Sequence, residues 1–349
     1  MKVLYQYPSA ATIYAGRTIY YGYKNAFIDL GHEFFTLTAD DDSRQVFERF
    51  QPDIFITSLS SYYLKFLDID AVRARKQVGM RVFVNTPLWN SPLSNLRINE
   101  TPSLSSNKEH IRLIRSGIGD VYYNVCEQGS VLMEGFEETT GYKHQTLPLA
   151  ADKISLKPKF DECFHADVSF IGTYLPEKRH FFDENVIPLG KRYNLKLYGQ
   201  DWTLGDRMLG WVQRGGQYFN MPILSSIRKP KLKLEDEAKI YASSTISINV
   251  HEDFQKRFGT DCNERTFKIP FSGGFEITDD VACIRKYFKE DKEIVIAKNQ
   301  DDWFDKIGFF MRNPEKRTPI IEAGKKRVLA EHTYHHRVSE MLRWFRELA

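Results

Sequence analysis

The fold of this 349-residue chain is decided by the stretch Ala166-Asp167-Val168-Ser169-Phe170-Ile171-Gly172-Thr173-Tyr174-Leu175-Pro176-Glu177-Lys178-Arg179. Its apolar run predicts a strand, Gly172 predicts a turn, and the basic residues that follow predict the start of a helix. Strands that alternate with helices in this way are typical of a parallel sheet wound by right-handed crossovers. Ligands of such sheets bind beyond the carboxyl ends of the strands.

The same alternation runs along the rest of the chain. Further strands are predicted at residues 3–5, 33–38, 53–57, 81–85, 121–125, 195–199, 245–250, 274–278 and 293–297, and helices at residues 17–30 and 314–348. The fold class is therefore α/β, with two Rossmann-like, doubly wound parallel-sheet domains that face a central cleft.

The division between the domains is expected near a polar segment. Residues 153–161 are polar and contain a proline, which is typical of an interdomain linker. We therefore expect an N-terminal domain over residues 1–152 and a second domain over residues 153–330. A C-terminal helix over residues 331–349 is expected to cross back to the N-terminal domain.

Composition excludes several classes of protein. Hydrophobic residues make up 42% of the chain and charged residues 27%, enough for a sizeable core and too apolar for disorder. The net charge of +3 is too small to indicate a nucleic-acid coat protein. No run approaches the roughly 20 apolar residues of a membrane-spanning helix. Four widely spaced cysteines form no CxxC pair, which favours a cytoplasmic protein.

A second motif carries the strongest chemical signal. It is NERTFKIPFSGGFEITD, over residues 263–279. A helix beginning near Asn263 would direct its free amides and Arg265 at an anion, and Gly273 and Gly274 would close that helix. Upstream, Asn249 and His251 end a strand at the same edge of the sheet. This arrangement could hold a diphosphate without a metal.

These motifs together resemble a known family. SFIGTY at residues 169–174, LYG at 197–199 with Trp202, SINVH at 247–251, NERTF at 263–267, GGFEITD at 273–279 and EHTYHHR at 331–337 look like group 1 glycosyltransferases of the GT-B fold, especially the branch similar to spore maturation glycosyltransferases. The resemblance covers roughly residues 166–340. It implies a two-lobed enzyme that binds a nucleotide-sugar donor in the C-terminal lobe and the acceptor on the N-terminal lobe, and that needs no metal.

The resemblance also implies roles for individual residues. Arg265 would contact the donor diphosphate, with Arg179 as a second phosphate partner, and these two are the predicted catalytic residues. Gly172 and Thr173 would approach the diphosphate by backbone, while Tyr198 and Gly199 would border the nucleobase. The predicted donor-binding residues are Gly16, Arg17, Gly172, Thr173, Tyr198, Gly199, His251, Asn263, Glu264, Gly273, Gly274 and Glu276.

One position departs from the family pattern. Lys268 stands where members usually have a glutamate that grips the ribose hydroxyls, and a lysine cannot accept those hydrogen bonds. Three alternatives follow: Glu264 or Glu276 substitutes, the nucleotide is held differently, or the helix register is shifted.

The first domain offers further candidates. The loop over residues 9–17 follows the first strand, so Gly16 and Arg17 could touch the donor phosphates or the acceptor, or simply connect two elements. An inverting transfer needs a base within reach of the acceptor hydroxyl, whereas a retaining transfer can use the donor phosphate. The acid or base candidates are His32, Asp40, Asp41, Asp42, Glu100 and Glu127.

Two other clusters have simpler interpretations. Glu331, His332, His335 and His336 lack the order His-Glu-x-x-His, and the resemblance makes their segment a structural helix, so we predict no metal site.

The second cluster is the basic run RKPKLK over residues 228–233. It is a solvated surface or, with the nearby Arg207, Arg214, Trp202, Trp211, Tyr218 and Phe219, a site for a polyanionic acceptor.

The resulting hypothesis is a glycosyltransferase that moves a sugar from a nucleotide diphosphate sugar, a UDP-sugar by preference, to an acceptor hydroxyl in surface polysaccharide or other glycan synthesis. The alternative acceptor is a hydroxylated base in DNA, since DNA-glucosylating phage enzymes share the GT-B fold. A non-catalytic nucleotide-sugar-binding protein and a nucleotide-sugar epimerase also remain open. No cofactor beyond the donor is expected.

Overall fold

Two parallel sheets, one in each of two units, organise the chain. The structure is a computed structural model that describes residues 1–8, 15–93, 103–219, 221–225 and 227–348. Unit 1 comprises Met1–Ala10, Tyr23–Leu149 and Tyr334–Ala349, and unit 2 comprises Ala11–Gly22 and Ala150–Thr333.

The sheet of unit 1 has six parallel strands in the order β2-β1-β3-β4-β5-β6. Its strands are β1 (Lys2–Gln6), β2 (Glu33–Leu37), β3 (Ile54–Ser58), β4 (Arg81–Asn85), β5 (Val121–Asn124) and β6 (His144–Thr146). The central strands β3 and β4 are almost entirely buried, as expected for a parallel sheet covered on both faces. The sequence did not predict β6, because its three residues include no apolar side chain.

The sheet of unit 2 has five parallel strands in the order β11-β10-β9-β7-β8. Its strands are β7 (Ala166–Ile171), β8 (Leu195–Tyr198), β9 (Ser244–Asn249), β10 (Glu276–Asp279) and β11 (Val295–Ala297). Val168, Phe170, Ile246, Ile248 and Ile277 form the centre of its core. The predicted fold class, two Rossmann-like parallel-sheet domains, is confirmed.

Helices connect the strands of both sheets. In chain order they are α1 (Gly16–Asp29), α2 (Ser43–Phe50), α3 (Ser61–Leu64), α4 (Ile69–Gln77), α5 (Lys108–Arg115), α6 (Phe136–Thr140), α7 (Arg179–Phe181), α8 (Leu204–Tyr218), α9 (Pro222–Ser225), α10 (Leu234–Ser243), α11 (Asp253–Phe258), α12 (Arg265–Phe271), α13 (Ile284–Tyr287), α14 (Gln300–Arg312), α15 (Pro314–Glu331) and α16 (Tyr334–Glu347). Short 3-10 or π segments occur at Leu104–Ser106, Glu162–Phe164, Pro176–Lys178, Phe182–Val186 and Ile187–Lys191. Within the described ranges, none of these helices is both long and apolar enough to cross a membrane.

The C-terminal residues 314–348 form two helices rather than one. α15 ends at Glu331, and the backbone N–H of Ala151 donates to the carbonyl of His332 at 3.0 Å. Thr333 then pairs with Ala151 in an isolated parallel bridge. This extended pairing interrupts the helix, because a residue in a bridge cannot also continue the helical ladder.

Candidate functional site

Arg265 lies at the carboxyl edge of the sheet of unit 2. It is the first residue of α12, and its Nε donates to Oδ1 of Asn249 at 3.0 Å. An Nη atom donates to the carbonyl of Val250 at 2.8 Å, and the guanidinium carbon is 5.2 Å from the ring centre of Phe170. These contacts hold the guanidinium at the ends of β7 and β9, where the sequence predicted an anion site.

Two glycines let the backbone approach this guanidinium closely. The N–H of Gly172 donates to the carbonyl of Tyr198 at 2.9 Å, and Gly199 has a φ of +118°. A Cβ on Gly199 would be 2.3 Å from the carbonyl oxygen of Gly172, and one on Gly172 would be 3.3 Å from an Nη of Arg265. The predicted residues Gly172, Thr173, Tyr198, Gly199 and Arg265 therefore converge on one edge of the sheet.

Lys178 is a second cation near this edge, and sequence analysis missed it. Its side chain is only 7% exposed, and Nζ donates to the carbonyl of Val250 at 3.2 Å, the same carbonyl that Arg265 contacts. Burial, and secondarily the charge of Arg265, lowers the pKa of Lys178 to about 8.

The neighbouring Arg179 was the predicted phosphate partner. Its guanidinium lies 5.3 Å from the ring centre of Tyr174, whose hydroxyl donates to Asp183 at 2.6 Å, and its role as a phosphate partner stays a prediction. Two adjacent basic residues thus have different partners, the carbonyl of Val250 for Lys178 and the ring of Tyr174 for Arg179.

The two cations are held directly by neutral oxygens, and the charges of Glu252, Asp279 and Glu177 only partly oppose the lowering of the Lys178 pKa. Across the described part of the chain, neither Arg265 nor Lys178 forms an ion pair with a carboxylate, and both are held by carbonyl or amide oxygens. Removing a cation from water without a counter-ion costs free energy. The arrangement therefore favours an anion beside Gly172.

Asn249 orients Arg265 from within the core. It is fully buried, and its Oδ1 accepts from Arg265 and, at 2.9 Å, from Nδ2 of Asn263. Its own Nδ2 donates to Oγ1 of Thr266 at 3.1 Å and to Oε1 of Glu276 at 2.8 Å. Asn263 also accepts from the backbone N–H of Arg265 at 3.0 Å. Asn263 thus supports the start of α12, which begins two residues later than predicted.

The structure places His251 in the interior of unit 2, behind Arg265. The side chain is fully buried, and its ring lies 2.6 Å from Oδ1 of Asp279 through Nδ1 and 3.2 Å from Oγ1 of Thr266 through Nε2. Burial lowers the pKa of His251, so a neutral ring donates from Nδ1 to an ionised Asp279. With both ring nitrogens engaged, His251 presents no polar atom to a donor and supports the network behind Arg265.

Glu276 is also a buried member of this network. It is 3% exposed on β10, and burial raises its pKa to about 8, so at neutral pH it is mainly an uncharged carboxylic acid. Gly273 ends α12 with a φ of +73°, and a Cβ on Gly274 would lie 3.0 Å from the carbonyl of Tyr241. These three residues therefore shape the helix end and the core, and their contact with the donor stays a prediction.

Lys268 forms a buried cluster with two glutamates. Its Nζ lies 2.9 Å from Oε2 of Glu237 and 2.9 Å from Oε2 of Glu264. The hydroxyl of Thr18 also donates to Glu264. Burial opposes the charge of Lys268, but the two carboxylates outweigh it and raise its pKa. The Glu264 carboxylate is thus bound by Lys268 and Thr18, whereas Glu276 bonds to Asn249 through Oε1 and its Oε2 is buried without a hydrogen-bond partner among the residues that the structure describes.

The predicted N-terminal loop is described only in part. Residues 9–14 lie outside the described ranges. Gly16 begins α1, and an Nη of Arg17 donates to the carbonyl of Leu232 at 3.0 Å within unit 2. This bond ties Arg17 to the segment before α10.

The acid or base candidates are mostly engaged in local structure. Asp42 accepts from the N–H of Gln45 at 3.2 Å as the N-cap of α2, and Asp41 accepts from the N–H of Thr38 at 2.7 Å. Nδ1 of His32 is 3.4 Å from the terminal amine of Met1. The other candidates are placed as follows: Asp40 is exposed, Glu127 is half-buried, and Glu100 lies outside the described residues.

The histidines of the C-terminal motif have protein partners. Nε2 of His332 lies 3.3 Å from the carbonyl of Tyr287, and Nε2 of His335 lies 2.8 Å from Oδ2 of Asp29. Among the residues that the structure describes, no group of three or more histidine, cysteine or acidic side chains is arranged to hold a metal ion.

The basic run over residues 228–233 divides into a buried and an exposed part. Arg228 is buried, with an Nη 2.8 Å from Asp201 and 3.4 Å from Asp206. Lys229, Lys231 and Lys233 are exposed. Arg228 is therefore structural, which corrects its inclusion in a polyanion surface.

Trp202, one of the nearby aromatic residues, is also structural. Its Nε1 donates to the carbonyl of Gly172 at 2.9 Å, and its ring packs on the rings of Phe170, Tyr174 and Phe182. It is therefore not free to stack on a ligand.

Comparison with known proteins agrees with this geometry. Residues 179–343 match a family model described as glycosyl transferase-like. No curated protein matches the chain in sequence. Sucrose-phosphate synthase from Thermosynechococcus elongatus is similar in structure, with a TM-score of 0.60 and 10% identity over 99% of this chain and 98% of that chain.

An α-glucosyltransferase provides two further similar structures. Its complex with UDP has a TM-score of 0.64, with 11% identity over 99% of each chain. Its complex with UDP and a 13-mer DNA containing an HMU base has a TM-score of 0.61, with 11% identity and 99% of each chain covered. At identities this low, the structural similarity establishes a shared fold and nothing further.

The predicted resemblance is confirmed for the domain at residues 179–343 and for the GT-B fold, while the spore maturation branch stays a prediction. Family and fold together support a transferase. The chain has the GT-B fold and carries, over residues 179–343, a domain of the glycosyl transferase-like family.

Proposed function

We propose that this protein is a cytoplasmic glycosyltransferase that moves a sugar from a nucleotide diphosphate sugar, a UDP-sugar, to an acceptor hydroxyl. The observation that carries the proposal is the pair of cations Arg265 and Lys178. Both reach the carbonyl of Val250, and within the described residues neither is paired with a carboxylate. A diphosphate is an anion whose charge suits two such groups.

The chemistry follows from where charge develops. Breaking the bond between the sugar and the diphosphate leaves negative charge on the leaving diphosphate, and fixed cations aimed at that charge lower the barrier. Arg265 is held rigidly by Asn249, so little reorganisation is needed as the charge grows. We propose that Arg265 and Lys178, rather than a metal ion, supply this stabilisation.

The nucleoside is held without a glutamate at position 268. Lys268 is paired with both Glu237 and Glu264, and Glu276 is buried beside Asn249. Of the alternatives raised by the sequence, this favours a nucleotide that is held differently. Tyr198 and Gly199, which follow one another at the end of β8, are the residues we assign to the edge of the nucleobase pocket.

We propose a glycan as the acceptor, in surface polysaccharide or related glycan synthesis. DNA with a hydroxylated base is the second candidate. It is favoured by the similarity to the DNA-bound α-glucosyltransferase and by the exposed Lys229, Lys231 and Lys233. A hexosyl or pentosyl donor fits either acceptor.

The direct test combines donor binding with product analysis. A ligand that binds only the folded state raises the melting temperature, so UDP and UDP-sugars are compared with the other nucleoside diphosphates. The purified protein is then incubated with the donor that binds and with glycan or hydroxymethylated DNA acceptors, with and without a chelator.

Three outcomes separate the alternatives. Glycosylated acceptor and free UDP support the proposal, and a new nucleotide sugar would identify an epimerase. Donor binding without any product would indicate a non-catalytic nucleotide-sugar-binding protein.

A further inference from the structure

The outer side of α8 and α9 is unusually apolar. Half of the exposed large apolar side chains in the described residues lie between residues 204 and 227. They are Leu204, Met208, Leu209, Trp211, Val212, Tyr218, Phe219, Met221, Ile223 and Ile227, and we call them the α8–α9 apolar face. Trp211 is 60% exposed, Phe219 70% and Ile223 86%. An apolar face this extensive marks an interaction surface.

Helix α8 packs on unit 2 through its polar and small residues. The residues it buries are Asp206, Gly210 and Gly216. Arg228 bonds to Asp201 and Asp206 beneath it, and a Cβ on Gly210 would be 2.8 Å from an Nη of Arg228. A typical surface helix buries its apolar stripe. Helix α8 is inverted in the sense that it exposes its apolar side chains and buries polar and small residues. The buried ion pairs fix this orientation and prevent the helix from rolling to cover its apolar side.

The same segment is strongly basic. Residues 203–233 contain six basic residues and one acidic residue, a net charge of +5, whereas the whole chain carries +3. The one acidic residue, Asp206, is buried and paired with Arg228 and Lys231. Arg214, Lys229 and Lys233 are exposed. The positive charge therefore accompanies the apolar face.

We propose that the α8–α9 apolar face docks on a lipid surface that carries anionic headgroups. Helices that lie in a membrane interface combine exposed Trp, Phe and Leu side chains with flanking basic residues. A second copy would bring the exposed Arg214, Lys229 and Lys233 of two segments together, which electrostatic repulsion opposes. Nucleic acid would match the charge but offers no apolar interior for Leu204, Met208 and Ile223.

The docking surface adjoins the candidate donor site. Trp202, two residues before α8, donates to the carbonyl of Gly172, and the guanidinium of Arg207 lies 5.5 Å from the ring centre of Tyr174. A membrane held by α8 would therefore keep this sheet edge near acceptors carried on lipids. That consequence rests on the proposed function, whereas docking itself does not require catalysis.

Vesicle co-sedimentation of the full chain tests the inference. Vesicles of phosphatidylcholine are compared with vesicles in which part of it is replaced by phosphatidylglycerol. We expect binding to the anionic vesicles that falls with added salt. The double variant Trp211→Ser/Phe219→Ser should bind about tenfold or more weakly, because it removes two exposed aromatic side chains that would insert into the lipid. Phe160→Ser/Leu329→Ser removes two exposed apolar side chains elsewhere and should bind as the unchanged protein does.

A second pair of variants tests the charge. Lys229→Glu/Lys233→Glu should weaken binding to anionic vesicles by about tenfold or more, since each basic residue near such a surface contributes roughly 1 kcal/mol. Lys325→Glu/Lys326→Glu, on the exposed side of α15, is the control. Thermal melting curves confirm that all four variants fold.

Three results would overturn the inference. The first is no binding to anionic vesicles, and the second is binding that Trp211→Ser/Phe219→Ser leaves unchanged. The third is a stable dimer or DNA complex that the same double variant dissociates, because the face would then belong to that partner. UDP binding, measured in parallel, reports on the proposed function alone and separates its failure from a failure of docking.

Discussion

The amide oxygen of Asn249 accepts a hydrogen bond from Nε of Arg265 over 3.0 Å. Asn249 is completely buried, and its amide nitrogen is held in turn by Thr266 and Glu276. The position of the Arg265 guanidinium at the sheet edge is thus set by an interior network rather than by an opposing carboxylate. Side chains fixed in this way need little reorganisation when they bind an anion.

Arg265→Ala should weaken UDP binding by at least about tenfold, which corresponds to about 1.4 kcal/mol. The loss arises because the guanidinium is one of the two cations assigned to the diphosphate. Isothermal titration calorimetry measures it directly. Arg346→Ala, which removes an exposed arginine in α16, is the control. Equal affinities of the two variants would remove Arg265 from the site.

Asn249→Ala should lower the free energy of unfolding by about 1–3 kcal/mol, because it leaves buried polar partners unsatisfied. It should also weaken UDP binding, since Arg265 loses its orienting contact. Ser247→Ala is the matched control on the same strand: it is buried, and its hydroxyl lies 3.3 Å from that of Ser169. We expect Ser247→Ala to leave UDP affinity unchanged. Weakened UDP binding in both variants would indicate a general effect of destabilisation.

UDP affinity should decrease as the pH rises above about 8, because the Lys178 ammonium loses its proton there. The unfolded chain keeps that proton until about pH 10.4, so the same group makes folding more favourable as the pH rises across this interval. Lys178→Met should bind UDP more weakly at pH 7 and with a flatter pH dependence. Titrations at pH 7, 8 and 9 compare the slopes, and parallel slopes would exclude Lys178 as the titrating group.

Compared with the unchanged protein, Glu276→Gln should have a higher free energy of unfolding at pH 8, and this gain should be smaller at pH 5. Burial raises the folded-state pKa of Glu276 to about 8, so the folded state binds more protons than the unfolded state above the ordinary carboxyl range. The contribution of the Glu276 carboxyl group to the free energy of unfolding is therefore fully present below about pH 4.3 and is lost progressively as the pH rises toward 8. Glutamine keeps the acceptor for Asn249 and removes this loss. Denaturant unfolding at both pH values measures the difference, and an equal effect at each pH would show that Glu276 does not titrate in this range.

Lys268→Glu should destabilise the protein by roughly 3–5 kcal/mol rather than create a ribose contact, because it leaves buried carboxylates without their cation. The exchange Lys268→Glu/Glu264→Lys returns one cation to this buried cluster and should recover much of the stability. Chemical denaturation of both variants checks this expectation. If the single variant is stable and binds UDP more tightly, position 268 still serves the ribose.

The sequence by itself determined the two-sheet architecture, because short apolar runs and turn residues are local signals. The strands around Phe170, Ile248 and Ile277 follow directly from their composition. The same local signals located Gly172, Gly199 and Arg265, since strand ends of a parallel sheet meet at one edge.

Only the tertiary structure decided which polar residues face that edge. His251 follows one predicted strand and Glu276 lies within another, yet long-range hydrogen bonds hold both in the interior behind Arg265. Lys178 and Arg179 are equivalent in sequence, and packing against Val250 and Tyr174 distinguishes them. Lys268 depends on Glu237, 31 residues away, and α8 is inverted because Arg228 lies beneath it. Burial and ion pairing join residues distant in the chain, so a local pattern cannot encode them.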